Sequence, residues 1–294
     1  MRILVLGSNG LLGSNVVTAG LKRSHEMAGT YHSEKPGFET GEFYQLDITD
    51  IDSFSSIFNE IDPDVVINCA AMTDVDGCER DPERAFEVNS EAPEKIASVC
   101  EGESDFVHIS TDYVFDGENE SKYSERDSTN PIQVYGESKL EGEKAVMEKP
   151  GSLALRLSFV YGVHRSKDEL EGFPAWVSER IRSGEETPLF TDQHITPSRA
   201  GQVADVLLEL IENNKKGLYH VASKSCVTPY EFGEILRQQM DASEDILEES
   251  SLSDINREAE RPRYTCLDVS KLENELERKQ PSLEEDIEAV AEWL

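Results

Sequence analysis

Basic residues are scarce in this chain. Its 294 residues carry 28 Lys and Arg against 60 Asp and Glu, a formal net charge of −32 at pH 7. A surface of that sign repels nucleic acid and anionic membranes at ordinary salt, so neither is an expected partner. Long apolar runs are missing as well: no stretch of ~18 residues is apolar enough for a helical membrane span. The apolar run at residues 2–6 is too short for a signal peptide and leads straight into a glycine turn, so the expected location is the cytoplasm. Cysteine is sparse and scattered at Cys69, Cys78, Cys100, Cys226 and Cys266, with no Cys-x-x-Cys. That spacing suggests neither a zinc site nor a disulfide framework. Cys69 and Cys100 sit in apolar contexts and read as core residues. No internal repeat is present. The acid is spread along the chain instead of gathered in a tail, which suggests a salt-loving source. At molar salt the Debye length falls to ~3 Å and the self-repulsion of such a surface is screened.

What is present is an alternation of short β-rich runs and helical stretches. Residues 2–6 form a candidate buried parallel strand. Gly7-Ser8-Asn9-Gly10-Leu11-Leu12-Gly13 follows, then an apolar helical stretch to Leu21. Strand, glycine turn and helix form the context of a dinucleotide-binding loop, here spaced Gly-x-x-Gly-x-x-Gly. Gly7 allows the tight turn, Gly10 the approach of a pyrophosphate to the helix N-terminus, and Gly13 close helix–strand packing. A second strand spans residues 26–31. No acid closes it to hold an adenosine ribose; His32, Ser33 and Lys35 follow, which favours NADPH while leaving NADH admissible. A third strand leads to Asp47, placed to accept from an adenine amino group, with Ile48 beside the ring. After a helix at residues 51–61, a fourth strand runs into Cys69, Ala70 and Ala71, small residues that let a flat cofactor lie against the backbone. Residues 83–99 read as a helix containing Asn89.

The fifth strand, residues 106–109, holds His108, read as a core histidine, and ends at Ser110-Thr111-Asp112-Tyr113. Ligands of open α/β sheets bind at the carboxyl ends of strands, where a hydroxyl pair can hydrogen-bond a substrate carbonyl. Tyr135 and Lys139, four residues apart, share one face of a helix. There the ammonium is expected to lower the phenol's pKa from its usual ~10 and fit it for proton exchange with a substrate oxygen. Residues 153–162 read as a sixth strand and turn, 163–172 as a polar loop, 173–183 and 230–240 as helices, 217–222 as a short strand, and 245–251 as an exposed turn. The whole reads as a doubly wound parallel (Rossmann) sheet of the α/β class with a smaller C-terminal substrate-binding lobe. The expected division is residues 1–162 and 202–222 for the dinucleotide-binding part, with 163–201 and 223–294 for the lobe.

The glycine turn, the Ser110-Thr111 pair and Tyr135-x-x-x-Lys139, in that order, resemble the extended short-chain dehydrogenase/reductases. Closer still, Ser110 to Gly117, Val134 to Glu143, Arg156 to Gly162, Gly217 to Ala222 and Arg261-Pro262-Arg263-Tyr264 resemble the dTDP-4-dehydrorhamnose reductase family. The resemblance implies NAD(P)H-dependent reduction of the 4-keto group of a dTDP-linked 6-deoxy-4-keto-hexose to give dTDP-L-rhamnose. It implies Tyr135 as proton donor, Lys139 as holder of the nicotinamide ribose and Thr111 as a hydrogen-bonder of the substrate oxygen. Thr73, Asp112, Tyr113, Gln193, Thr196 and Arg263 become candidates for the nucleotide sugar, with Arg263 pairing its diphosphate. A homodimer is consistent with the family. Phe159 stands where the family often carries tryptophan, which leaves the hexose and the base open. Two other readings stand beside this one. One is a non-catalytic binding subunit like the regulatory β subunit of methionine adenosyltransferase; the other is a reductase or epimerase of another nucleotide sugar. The intact set of Thr111, Tyr135 and Lys139 favours the enzyme.

Overall fold

A computed structural model describes residues 1–294, the Glu244 side chain excepted. In chain order the first half comprises β1 (Arg2–Leu6), α1 (Leu11–Lys22), β2 (Glu26–Tyr31), β3 (Glu42–Gln45), α2 (Ile51–Ile61), β4 (Val65–Asn68), α3 (Val75–Arg80), α4 (Pro82–Phe86), α5 (Ala92–Cys100), β5 (Asp105–Thr111), α6 (Val134–Met147) and β6 (Leu153–Leu157). The second half comprises β7 (Val160–His164), β8 (Glu169–Glu171), α7 (Phe173–Ser183), β9 (Thr187–Phe190), β10 (Ser198–Arg199), α8 (Ala200–Glu212), β11 (Gly217–His220), α9 (Pro229–Gln239), β12 (Leu247–Ser250), α10 (Ser270–Glu275) and α11 (Leu283–Glu288).

The apolar runs of β1, β4 and β6 have no polar face because both sides are covered, as a parallel sheet requires. Seven parallel strands lie in the order β11-β6-β5-β4-β1-β2-β3. On one face Val16 and Val17 of α1 pack with Val203 and Leu207 of α8. On the other Phe54 and Ile57 of α2 pack with Ile96 of α5. The chain builds outward from β1 to β3, returns to β4 on β1's other side, and builds on to β11. The crevice above the carboxyl ends of β1 and β4 is therefore the point where the winding reverses, the usual ligand position in open α/β sheets.

Four expectations change. Residues 153–162 do not form one strand and turn: the run breaks at Ser158 and Phe159. Phe159 takes φ +48°, and β7 then leaves for a separate sheet ordered β10-β7-β8. The loop expected at 163–172 thus contains the end of β7 and all of β8, paired antiparallel. Residues 245–251 are not simply an exposed turn, because β12 pairs in parallel with β9 and buries Leu247 beside Phe232 and Leu236. Only one apolar side chain of that strand points inward, so its sequence reads as an acidic surface. Finally, Cys226 and Cys266 are joined in a disulfide. Their separation of 40 residues hid the pairing. His194 bridges to Tyr264 and Ile195 to Val227, which brings the two cysteine-bearing segments together beside residues 194–195.

The helix expected at 83–99 is present with a π-helical stretch at Glu87–Glu91, which contains Asn89. Such inserted residues commonly mark functional positions. No helix is long and apolar enough to cross a membrane among the described residues.

Candidate active site

The crevice holds a cavity of about 670 Å³. Its floor is the glycine turn. Gly7 takes φ +74°, and a Cβ there would lie 3.0 Å from the Ala70 backbone; a Cβ on Gly13 would lie 2.1 Å from the Gly7 carbonyl oxygen. Both positions need glycine so that α1 can start hard against the ends of β1 and β4. The first hydrogen bond of α1 is donated by Ser14 to Gly10. The amides of Leu11, Leu12 and Gly13, which line the cavity, are thus left for an anion, and no acidic side chain occupies that first turn. Asn9, Gly10, His32, Ser33, Cys69, Ala70 and Ala71 line the same space. The cradle fits the diphosphate of a dinucleotide: three main-chain donors converge at the start of α1 with no acidic side chain among them.

Two of the expected cofactor residues lie off this wall. Asp47 is held by the Thr49 hydroxyl at 2.8 Å and by Arg84 at 3.0 Å, and Ile48 is buried in the core. Tyr31 and Glu34 line the cavity instead, unanticipated by the sequence. Glu34, three residues beyond the end of β2, brings a carboxylate to the strand end.

The opposite end of the cavity is made by α6 and the end of β5. Gln133 caps α6 by accepting from the Gly136 amide at 3.2 Å. A Cβ on Gly136 would lie 2.1 Å from the Tyr113 carbonyl oxygen, so glycine there lets α6 press against the strand end and brings Tyr135 to the cavity. The Tyr135 ring meets Tyr113 edge-on, with centroids 5.9 Å apart. Burial pushes the Tyr135 phenol above its ordinary value, with the adjacent Thr111 hydroxyl opposing the rise. Lys139 is buried and donates to the Ile109 carbonyl at 2.5 Å. Burial lowers its pKa to about 8, against the charge of Glu143 one turn further on. The expectation that Lys139 lowers the phenol's pKa is therefore not met. The two side chains share a helix face, but the ammonium turns to a strand carbonyl.

Beneath them lies a buried ion pair. Arg156 reaches both oxygens of Glu143, at 2.6 and 2.9 Å, and the Ser110 hydroxyl donates to the same carboxylate at 2.5 Å. The serine that sequence reasoning paired with Thr111 is thus committed to the scaffold. His108 is fully buried, kept neutral by that burial, with Nδ1 3.5 Å from the Asn68 amide. Asn89 accepts from the Met72 amide at 2.9 Å and donates to the Met72 carbonyl at 3.0 Å and to Ser138 at 3.1 Å. The π-helical stretch thereby pins the segment after β4 to α6.

Of the expected sugar-binding residues, Thr73, Asp112 and Tyr113 line the cavity. Asp112 is buried and accepts from Thr111 at 3.1 Å and Ser158 at 2.7 Å; burial lifts its pKa to about 6. Gln193 is buried beside the Tyr113 hydroxyl. Thr196 accepts the Leu267 amide at 3.1 Å, deep in the lobe. Arg263 is exposed, and its carbonyl accepts from His194. The guanidinium groups nearest Tyr113 are instead those of Arg257 and Arg261. Their signal in the sequence is the clustering of cations at residues 257–263 of an acidic chain.

A glycine-cradled crevice at the switch point, with Tyr135 and Lys139 facing Thr111, defines an oxidoreductase of the extended short-chain dehydrogenase/reductase class. The family model described as RmlD substrate binding domain matches residues 1–294, and the chain belongs to that family. It is 50% identical to a probable low-salt glycan biosynthesis reductase of Haloferax volcanii, over 99% of this chain and 97% of that one. It is 30% identical to a dTDP-4-dehydrorhamnose reductase of Aggregatibacter actinomycetemcomitans, over 92% of each. The crystal structure of a dTDP-4-dehydrorhamnose reductase from Bacillus anthracis in complex with NADP superposes with a TM-score of 0.85 at 26% identity, over 98% of both chains.

Proposed function

We propose that the protein reduces the 4-keto group of a nucleotide-linked 6-deoxy-4-keto-hexose, converting dTDP-4-dehydrorhamnose to dTDP-L-rhamnose. The carrying observation is the convergence of Thr111, Tyr135 and Lys139 on the cavity that the glycine turn floors. NAD(P)H held along Gly7 to Gly13 and Cys69 to Ala71 supplies the hydride to the carbonyl carbon.

The protein's own residues handle the oxygen. A phenol pushed up by burial is fully protonated at neutral pH, so Tyr135 donates its proton to the oxygen as negative charge develops there. The Thr111 hydroxyl donates to Asp112; turned from that carboxylate to the substrate oxygen, it orients the carbonyl. Lys139, anchored on the Ile109 carbonyl, holds the cofactor ribose. Solvent protons then restore the phenol. In this reading the sheet, residues 1–162 and 202–222, binds the dinucleotide, and residues 163–201 and 223–294 close over the sugar.

Phe159, with its left-handed backbone, lies on the cavity wall near Tyr161 and Phe173. Together with the 50% identity to a glycan biosynthesis reductase, it favours as the second reading a related nucleotide hexose. The test is oxidation of NADPH and NADH with dTDP-4-keto-6-deoxyhexose in high KCl, with sugar products identified by NMR. Turnover supports the reading. Tight cofactor binding without turnover on this or other nucleotide ketohexoses would sink it in favour of a binding subunit.

A further inference from the structure

The first hairpin after the break at Phe159 turns away from the sugar and toward the dinucleotide end. β7 and β8 pair antiparallel, with Gly162 opposite Glu171 and His164 opposite Glu169. The tip closes at Asp168, which takes φ +59° and donates its amide to the His164 carbonyl at 2.8 Å. This tip is bolted to the dinucleotide-binding half at several points. The Asn15 side chain of α1 donates to the Val163 carbonyl at 2.9 Å, and the Arg165 amide donates to the Ser14 hydroxyl at 3.1 Å. The Gly37 amide, beyond β2, donates to the Ser166 hydroxyl at 2.7 Å. The remaining contact belongs to His164 and reaches the glycine turn itself.

His164 is 1% exposed and stands off the cavity wall. Its Nε2 lies 2.9 Å from the Asn9 carbonyl oxygen, and the Ser166 amide nitrogen lies 3.3 Å from its Nδ1. A carbonyl only accepts and a main-chain amide only donates, so these partners put the ring proton on Nε2. The peptide between Asn9 and Gly10 is then held on both sides. Its N–H donates to the Gly7 carbonyl at 3.0 Å, and its C=O accepts from His164. A peptide unit is planar, so holding both groups fixes the plane. Gly10 is the N-cap of α1 and offers no side chain to cap it. The orientation of this plane therefore decides how Leu11, Leu12 and Gly13 present their amides. Glycine permits the plane to rotate, which would turn the negative end of a carbonyl dipole on an incoming anion. The imidazole opposes that rotation from behind the turn.

We propose that His164 is a positioning residue for the dinucleotide: by holding the Asn9 carbonyl off the cavity, it keeps the first amides of α1 directed at the diphosphate. The lobe thereby serves the cofactor as well as the sugar. This goes beyond the reductase reading and needs only a dinucleotide seated on the glycine turn.

The experiment is calorimetric titration of NADPH, and of ADP-ribose, into the wild-type protein and a set of variants. ADP-ribose shares the diphosphate but carries no nicotinamide, so its affinity is independent of any ketosugar reduction. His164→Gln places an amide donor where Nε2 stands and should bind both ligands close to wild type. His164→Leu keeps the bulk without a donor, and the shorter amide of His164→Asn falls short of the Asn9 carbonyl. Each of these two should weaken both ligands roughly 5- to 100-fold, the scale set by a buried carbonyl left unpartnered. If one of them fails to fold, the other carries the comparison. Lys167→Ala, at the exposed tip of the same hairpin, should bind like wild type. In turnover, KM for NADPH should rise in His164→Leu with kcat at saturation little changed. Equal affinity in wild type and the variants without a donor overturns the proposal. Equal weakening in His164→Gln overturns it as well, because the imidazole would then act only by filling space. Donor-dependent ADP-ribose binding without any ketosugar reduction keeps the proposal and overturns the reductase reading alone.

Discussion

The two ends of the cavity are built from different materials. At the dinucleotide end the ligand meets backbone: Gly7, Gly10 and Gly13, the first amides of α1, and the small residues Cys69 to Ala71. At the sugar end it meets side chains whose positions are set by other side chains, Thr111 on Asp112, Tyr113 beside Gln193, Lys139 above Glu143. A backbone cradle is fixed by local conformation and fails when a Cβ is added. A side-chain end is fixed by a buried polar network and fails when one partner is removed. The first suits any dinucleotide, and the second is where the proposed reaction would set substrate choice and proton transfer.

That contrast can be broken at each end. The largest effect is expected from Tyr135→Phe, which removes the proposed proton donor and should lower kcat about 10²- to 10⁴-fold while NADPH binding, followed by fluorescence, stays near wild type. Retained turnover would remove Tyr135 from the chemistry. Next comes Glu143→Leu, which leaves the Arg156 guanidinium buried without its carboxylate; about 3–5 kcal/mol of stability should be lost, read as a shifted denaturation midpoint. An unshifted midpoint would mean the pair contributes nothing. Gly13→Ala drives a Cβ into the Gly7 carbonyl and should weaken NADPH and NADH together by tenfold or more, with dTDP affinity unchanged. Coupled loss of both ligands would show that the two ends are not separable.

The smallest effect is a displacement on the pH axis. Lys139 titrates at about 8 in the folded protein and ~10.4 unfolded. Between those values the unfolded chain binds the extra proton, so this group's contribution to stability rises with pH while the ammonium that the proposed mechanism uses disappears. kcat/KM should therefore fall above about pH 8. Glu143→Gln withdraws the charge that supports the ammonium and should move that limb to lower pH. A limb that stays put would place its origin elsewhere.

The same contrast explains what could be read before the fold was known. The glycine turn, the strand ends at Ala70 and Thr111, and the Tyr135–Lys139 face are local patterns, and local patterns survive in sequence. The alternation of strands and helices similarly carried the parallel sheet. The sugar end draws on residues 111–113, 159, 193 and 257–261, joined only by the lobe's small sheets and bridges, and no spacing announces such a meeting. The break at Phe159 was hidden because a left-handed residue other than glycine leaves no compositional trace. Lys139's real partner, a main-chain carbonyl, has no side chain to read.

The bond between Cys226 and Cys266 closes a covalent ring around residues 227–265. That ring contains α9, β12 and the segment bearing Arg257 and Arg261. A protease that nicks the exposed acidic stretch near Asp254 would cut the polypeptide without freeing either piece. Both fragments would migrate as one until a reductant is added, so the cap over the sugar end can be severed in sequence and still remain tethered to the sheet.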